Sequence, residues 1–394
     1  MTGTYSRIFF LITILVLTVF MLINPRETVD AAGYGFKLWY MVIVPALLPF
    51  FIAAELLVGL GLAQFLGVLL EPVMRPLFCL PGCTSLVVAM GFTSGFPVGA
   101  ILTKRLYEEE LIKPQEAERL VSFTNNSSPL FIIGAVGVGM FNSPALGCLL
   151  ALSHYLANLG VGLVWGLTAT STWDRKSSSF GELCKRAFRT LVQHQQTSLP
   201  PGQQLSNAVK NSINNILLIA GFIILFSVLT RMLSVWGIMH YISLFWGQVL
   251  FFLKLPYEAA YGIAMGMFEI TIGSQTVAAS SGLSILNQML AVSMILAFSG
   301  FSIIAQVMGV LSGMPVRLSF YLKSRLLQVC FSLLLTWTLY PLFFSQEAVS
   351  TIAIPLEKIL YSLNAWQISL YSMAAGLIII AVMMIFSLYR SSIK

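Results

Sequence analysis

Charge is what this sequence has least of. Only 9% of its 394 residues are Asp, Glu, Lys or Arg, against roughly 25% in a soluble domain. So little charge excludes a water-solvated globule. Hydrophobic residues make up 57% of the chain, and the mean hydropathy is +0.87. The composition is that of a polytopic all-α membrane protein whose main solvent is lipid. Its formal charge of +7 belongs in cytoplasmic loops, which argues against nucleic acid as a partner and for the lipid bilayer.

Metal-binding and catalytic groups are scarce too. The five cysteines (79, 83, 148, 184 and 330) make no paired framework. Cys79 and Cys83 have no nearby histidine or third cysteine to complete a zinc set, so all five are read as core or lipid-facing residues. The three histidines (154, 194 and 240) have no second ligand at helical spacing, and no metal site is expected. There is no phosphate-binding G-x-x-x-x-G-K loop, which argues against ATP-driven pumping by this chain. There is no G-x-S-x-G elbow and no histidine placed to activate a serine. The sequence predicts no enzyme and no cofactor.

Long apolar runs are abundant. A helical span needs about 20 apolar residues. Clear candidates are 8–23, 37–59, 144–170, 211–233, 321–344 and 367–389. Two more, 119–141 and 284–311, have the length but carry polar interruptions, which brings the expected crossings to eight. The first run leads into INPRETVD without a small-x-small cleavage site, so it is expected to be a retained span rather than a signal peptide.

Two apolar stretches do not suit straight lipid-facing helices. They are 83–102, CTSLVVAMGFTSGFPVGAIL, and 257–282, YEAAYGIAMGMFEITIGSQTVAASSG. Both are rich in Gly and hydroxyl residues. Irregular backbone at membrane depth is tolerated only inside protein or beside a cavity, so both are read as re-entrant helical hairpins. The order of elements then repeats: span, amphipathic stretch, hairpin, interrupted span, clean span. The resulting domain reading is 1–34, a first helix and outer loop; 35–170, repeat 1; 171–210, a solvated cytoplasmic linker; 211–345, repeat 2; and 346–394, an outer loop and last helix. With the N-terminus in the cytoplasm, seventeen Lys and Arg, Arg325 among them, fall inside and five fall outside (26, 37, 231, 254 and 358). That obeys the positive-inside rule and makes the repeats inverted. The charges of 103–119 are expected to face water.

Candidate site residues lie at the interruptions. TNNSSP, 124–129, sits where a span must unwind, because Pro lacks an N–H and Asn and Ser compete with helix formation. Inverted-repeat transporters place substrate and ion sites at such breaks. Asn125, Asn126, Ser127 and Ser128 are therefore expected to line a site, with Ser299 at the matching break of the second half. Glu269 lies inside the second hairpin with no cation near it in sequence. A charge at the bilayer centre costs roughly 2.5–3.5 kcal/mol even on the lenient insertion scale, so this carboxylate is expected to be protonated, bound to a cation or directed at substrate. Thr93, Ser94, Ser274, Gln275 and Gln306 add uncharged hydrogen-bonding groups. Glu55 is a second acid within a span and has a polar neighbour as its alternative role.

GFTSGFPVGA at 91–100, EAERLVSFTNNSSPLFIIGAVG at 116–137 and GMFEITIGSQ at 266–275 resemble the YlbJ (SpoVV) family of sporulation integral membrane proteins. That family shares a nucleoside-recognition, or Gate, domain with concentrative nucleoside transporters. The resemblance covers about residues 35–345. It implies a fold similar to those transporters, an outer forespore membrane in a spore-forming bacterium, and movement of dipicolinic acid from the mother cell. Nucleoside transporters carry a Gln-Thr-Glu type motif in the first hairpin. Here Phe92-Thr93-Ser94-Gly95-Phe96 has no acid, which suits an anionic substrate. The expected function is secondary transport of a small polar metabolite, with H+ or Na+ as a coupling cation and room for a homo-oligomer. The alternatives are a nucleoside carrier of the same fold and a non-transporting scaffold acting through 171–210.

Overall fold

The computed structural model describes residues 2–169, 180–252, 256 and 258–344. The expected last span, 367–389, and the outer loop before it lie outside the described residues. Every regular element among the described residues is helical. The chain runs α1 (Thr2–Ile23), α2 (Pro25–Leu38), a π-helical turn (Trp39–Ile43), α3 (Val44–Gly59), α4 (Leu62–Leu69), α5 (Glu71–Phe78), α6 (Thr84–Ser94), α7 (Val98–Glu108) and α8 (Pro114–Thr124). A π-helix (Leu130–Met140), α9 (Pro144–Leu167), α10 (Phe180–Thr197), α11 (Pro201–Val235) and α12 (Ile238–Phe252) follow. Then come α13 (Glu258–Phe268), α14 (Ile270–Ala278), α15 (Ile285–Phe298), α16 (Gly300–Val310) and α17 (Leu318–Phe344).

Four of these stretches are long and apolar enough to cross a membrane: α9, α11, α15 with α16, and α17. A fifth arises if Leu11–Ile23 and Pro25–Met41, bent by 109°, count as one span. The bend corrects the expected outer loop after the first helix. Asn24 leaves helical geometry, and Pro25, which cannot donate to the preceding turn, opens α2 as its first residue. α2 then packs along α11, where Glu27 pairs with Arg231 at 2.5 Å.

Two polar segments are more structured than expected. The linker 171–210, mostly exposed where it is described, is helical rather than irregular. Residues 180–197 form α10, and α11 starts at Pro201. α10 lies on α4, with Ala187 fully buried. Gln195 donates to the Leu60 carbonyl at 2.6 Å. The cause is a small-residue and apolar stripe at three- and four-residue spacing, which prefers a neighbouring helix to water. The charges of 103–119 do not all face water. Glu116 and Glu118 are each only 7% exposed. Glu116 takes Arg75 at 2.8 Å and accepts from the Lys113 N–H at 2.9 Å, closing the start of α8. Glu118 takes Arg317 at 2.7 Å.

The interior is built from two apolar clusters that cross between the halves of the chain. One joins Val98 and Ile101 of α7 to Phe123 of α8, Ile219 of α11 and Ile304 and Val307 of α16. The other joins Ile132 and Val136 of the π-helix to Leu149 of α9, Ile263 and Ile270 of α13 and α14, and Ile295 of α15. Each helix pair α6/α7 and α13/α14 folds back on itself as a hairpin, and each touches an interrupted helix from the other half. Between α15 and α17 the contact is polar: Ser293 and Ser332 hydroxyls lie 2.7 Å apart, and Thr336 donates to Ser293 at 2.8 Å. Small hydroxyl residues of this kind let membrane helices approach and bond.

Candidate functional site

The break at TNNSSP is real and buried from Thr124 to Ser127, with Ser128 half-buried. α8 ends at Thr124, Asn125 takes an extended conformation, and the π-helix begins only after Pro129. Asn125 and Asn126 are 0% exposed, and Ser127 is 1% exposed. The first hairpin closes on this break. Gly95 turns the chain with φ +87, a conformation an L side chain resists. A Cβ on Gly91 or Gly99 would lie 2.2 or 2.5 Å from the Thr124 carbonyl oxygen, so only glycine permits the approach.

Hydrogen bonds fix the unwound segment. Asn125 Oδ1 accepts from the Ala100 N–H at 2.9 Å, meeting one of the free donors at the start of α7. Its amide nitrogen donates to the Val121 carbonyl at 3.0 Å. Asn126 donates to the Phe123 carbonyl at 3.3 Å. Ser127 N–H donates to His154 Nε2 at 3.3 Å, and Tyr155 donates to the Ser127 carbonyl at 3.0 Å. Ser128 Oγ accepts from the Phe131 N–H at 3.2 Å.

The second half repeats the arrangement. α15 stops at Ser299, which adopts a left-handed conformation, φ 74, and is fully buried. Its hydroxyl donates to the Leu296 carbonyl at 3.4 Å. A Cβ on Gly300 would meet the carbonyl oxygens of Gly266 and Phe268 at 3.0 and 3.3 Å, so this break lies against the tip of the second hairpin. Glu269 is that tip. It is 8% exposed, and its carboxylate accepts from the Ile272 N–H at 2.7 Å as the N-cap of α14. The positive end of the helix stabilises a negative charge there.

The other sequence candidates fall in different places. Ser94, Ser127 and Ser274 are buried, and each hydroxyl lacks a hydrogen-bond partner among the described residues, as does Asn126 Oδ1. Buried polar groups normally find partners, so among the sequence candidates these four have hydrogen-bonding capacity left. Gln306 is buried and donates to Ser302 at 3.3 Å. Thr93 is half-buried and spends its hydroxyl on the Ala89 carbonyl at 2.9 Å. Gln275 is exposed, on the outer side of α14. Glu55 accepts from Asn211 of α11 at 3.2 Å, the polar-neighbour alternative. No hydrogen bond among the described residues joins Glu269 to 125–128; the two ends are linked by the crosswise apolar packing.

The sequence reading missed the residue that most marks the site. Arg325, counted there among cytoplasmic charges, is 0% exposed on α17. Its guanidinium donates to the Asn125 carbonyl at 3.1 Å, to the Ser122 carbonyl and to Asn158 Oδ1 at 3.5 Å. It sits 5.1 Å from the Tyr321 ring centroid. Asn158 in turn donates to the His154 carbonyl at 2.9 Å, and the Gln328 amide lies 3.4 Å from His154 Nδ1. One connected buried polar network thus joins the break to α9 and α17. A signal existed. Tyr321, Arg325, Gln328, Ser332 and Thr336 recur at three- and four-residue spacing through an apolar span, which marks a face turned toward protein.

Comparison with known proteins gives this geometry a family. Residues 40–154 match the nucleoside recognition (Gate) family model. That stretch holds α6 to α8 and the whole TNNSSP break. An uncharacterized protein of Alkalihalophilus pseudofirmus is 33% identical over 123 residues, 29% of this chain and 26% of that one. No solved structure matches the chain. The sporulation integral membrane protein YlbJ of Bacillus subtilis is 42% identical over 360 residues, 90% of this chain and 86% of its own length. The chain therefore belongs to the YlbJ family of sporulation integral membrane proteins.

Proposed function

We propose that this protein is a secondary transporter of a small polar metabolite, most concretely dipicolinic acid, carried from the mother cell across the outer forespore membrane. The observation that carries the reading is the pairing of two buried helix breaks with two hairpin tips, at Asn125–Ser128 and at Glu269 with Ser299. Discontinuous helices whose freed backbone groups face one another are how transporters hold substrate and ion near the bilayer midplane. A scaffold has no use for a buried carboxylate or for enclosed hydroxyls without partners. The sporulation family supplies the setting, and the hairpin sequence Phe92–Phe96, free of acid, supports an anionic cargo.

In this reading the chain makes eight crossings. The two hairpins are re-entrant from opposite faces, residues 35–170 and 211–345 are inverted repeats, and both termini are cytoplasmic. Glu269 is protonated while substrate is bound, or holds a co-transported H+ or Na+. The nucleoside-recognition match over 40–154 favours a second reading, a nucleoside carrier of the same fold. Binding of radiolabelled dipicolinate and uridine to the purified protein separates the two. Saturable dipicolinate binding that uridine does not displace is expected. Uridine binding alone would establish the second reading, and binding of neither would sink both.

A further inference from the structure

The charge on Arg325 has no counter-charge among the described residues. Arg75, Arg105, Arg231 and Arg317 each meet a carboxylate within 2.9 Å. Arg325 is more deeply buried than any of them, at 0% exposure, and meets only carbonyl and amide oxygens. Two of those carbonyls belong to the last turn of α8 and the residue just after it. A helix C-terminus offers about half a negative charge at most, which leaves the site net positive. The guanidinium also keeps one donor in reserve: its Nε–H is buried without a partner among the described residues. Beside it, Ser127 Oγ and Asn126 Oδ1 are likewise buried without partners among the described residues.

We propose that Arg325 is the residue that recognises the anion. It takes a carboxylate of the transported molecule through its unpartnered Nε–H edge while its other nitrogens hold the break open at Ser122 and Asn125. Guanidinium suits this role because its several fixed donors can hold backbone and ligand at once and it stays protonated when buried. Binding at Arg325 would neutralise the net charge and bear on the unwound segment at once. Charge recognition would thereby be tied to the element that has to move. The inference rests on the transport reading above and names the group that makes the cargo an anion.

The test is a ligand series on the intact purified protein, followed by thermal shift and direct binding. Pyridine-2,6-dicarboxylate is compared with its uncharged diamide and with benzene-1,3-dicarboxylate. A charge-assisted hydrogen bond lost on a buried donor corresponds to roughly tenfold to hundredfold in affinity. The wild type is expected to bind the dianion at least tenfold more tightly than the diamide. Arg325→Gln is expected to lose that preference, and Arg325→Lys, which keeps the charge without the fork, to fall between. Equal affinity for dianion and diamide in the wild type overturns the inference without any variant, so a misfolded Arg325→Gln cannot protect it. Undiminished dianion binding by a folded Arg325→Gln also overturns it and leaves the transport reading standing. Arg325-dependent binding of the benzene dicarboxylate alone would support the inference and refute dipicolinate as the cargo. Absence of binding by every anion would overturn both.

Discussion

At the scale of single residues, the site divides into groups that are already bonded and groups that are not. Asn125 is bonded on both ends of its amide, to Ala100 and Val121. Its role is to lock the hairpin onto the break. Asn125→Ala strands a buried N–H, which costs about 1–3 kcal/mol, and thermal unfolding in detergent is expected to show a lower midpoint. Among the described residues, the Glu269 carboxyl is bonded within its own helix, to the Ile272 N–H and to Thr271. Glu269→Gln keeps an oxygen to cap α14 but removes the titrating group. The variant is expected to fold, and its transport in vesicles to lose the pH or cation dependence of the wild type. Wild-type behaviour at every pH would remove Glu269 from the coupling step. Most of these residues were legible because a polar side chain in an apolar run is costly and needs a reason. Arg325 was not, because a basic residue near the end of a span is ordinarily assigned to the cytoplasmic loop. Only its place on the same helical face as Gln328 and Ser332, both 0% exposed, tells otherwise.

At the scale of elements, breaks and hairpins were easier to read than helix ends. Pro129, the Gly-rich hairpin sequence and the polar run at 124–128 each disrupt a helix for a local reason, and the structure breaks there. The docking of α10 on α4 and the burial of Glu116 and Glu118 were not legible, because both depend on partners far away in sequence. Arg317 reaches Glu118 across 199 positions. This pair ties the head of α8 to the segment before α17. Burial alone would raise the Glu118 carboxyl, but hydrogen bonds from the Arg317 side chain and backbone N–H outweigh it and hold the group below the usual carboxylate range. A carboxyl depressed by folding contributes stability above its unfolded pKa. That contribution is lost as pH falls through the lower, folded value. Glu118→Gln is therefore expected to lower the unfolding midpoint at neutral pH, with the difference from wild type shrinking to nothing in acid. A difference that stayed constant with pH would mean the pair acts through packing rather than charge.

At the scale of the whole molecule, two buried breaks, two hairpin tips and a cross-packed apolar interior are what the proposed carrier, with its binding site inside the protein, requires. An all-helical membrane architecture followed from composition and run length, since lipid leaves the backbone few alternatives. The span count did not follow so simply, because bent and interrupted helices share one hydropathy signature with straight ones. The central claim is that the enclosed hydroxyls at the breaks and tips serve a ligand and not the fold. Ser94, Ser127 and Ser274 test it together, since each hydroxyl is buried without a partner among the described residues. Removing such a group relieves the fold of an unpaired dipole. The decisive measurement is dipicolinate counterflow into proteoliposomes by a variant with all three changed to alanine, alongside its thermal unfolding. The account predicts an unfolding midpoint equal to or above that of the wild type, with uptake reduced at least tenfold. Uptake at the wild-type rate by that variant would contradict it.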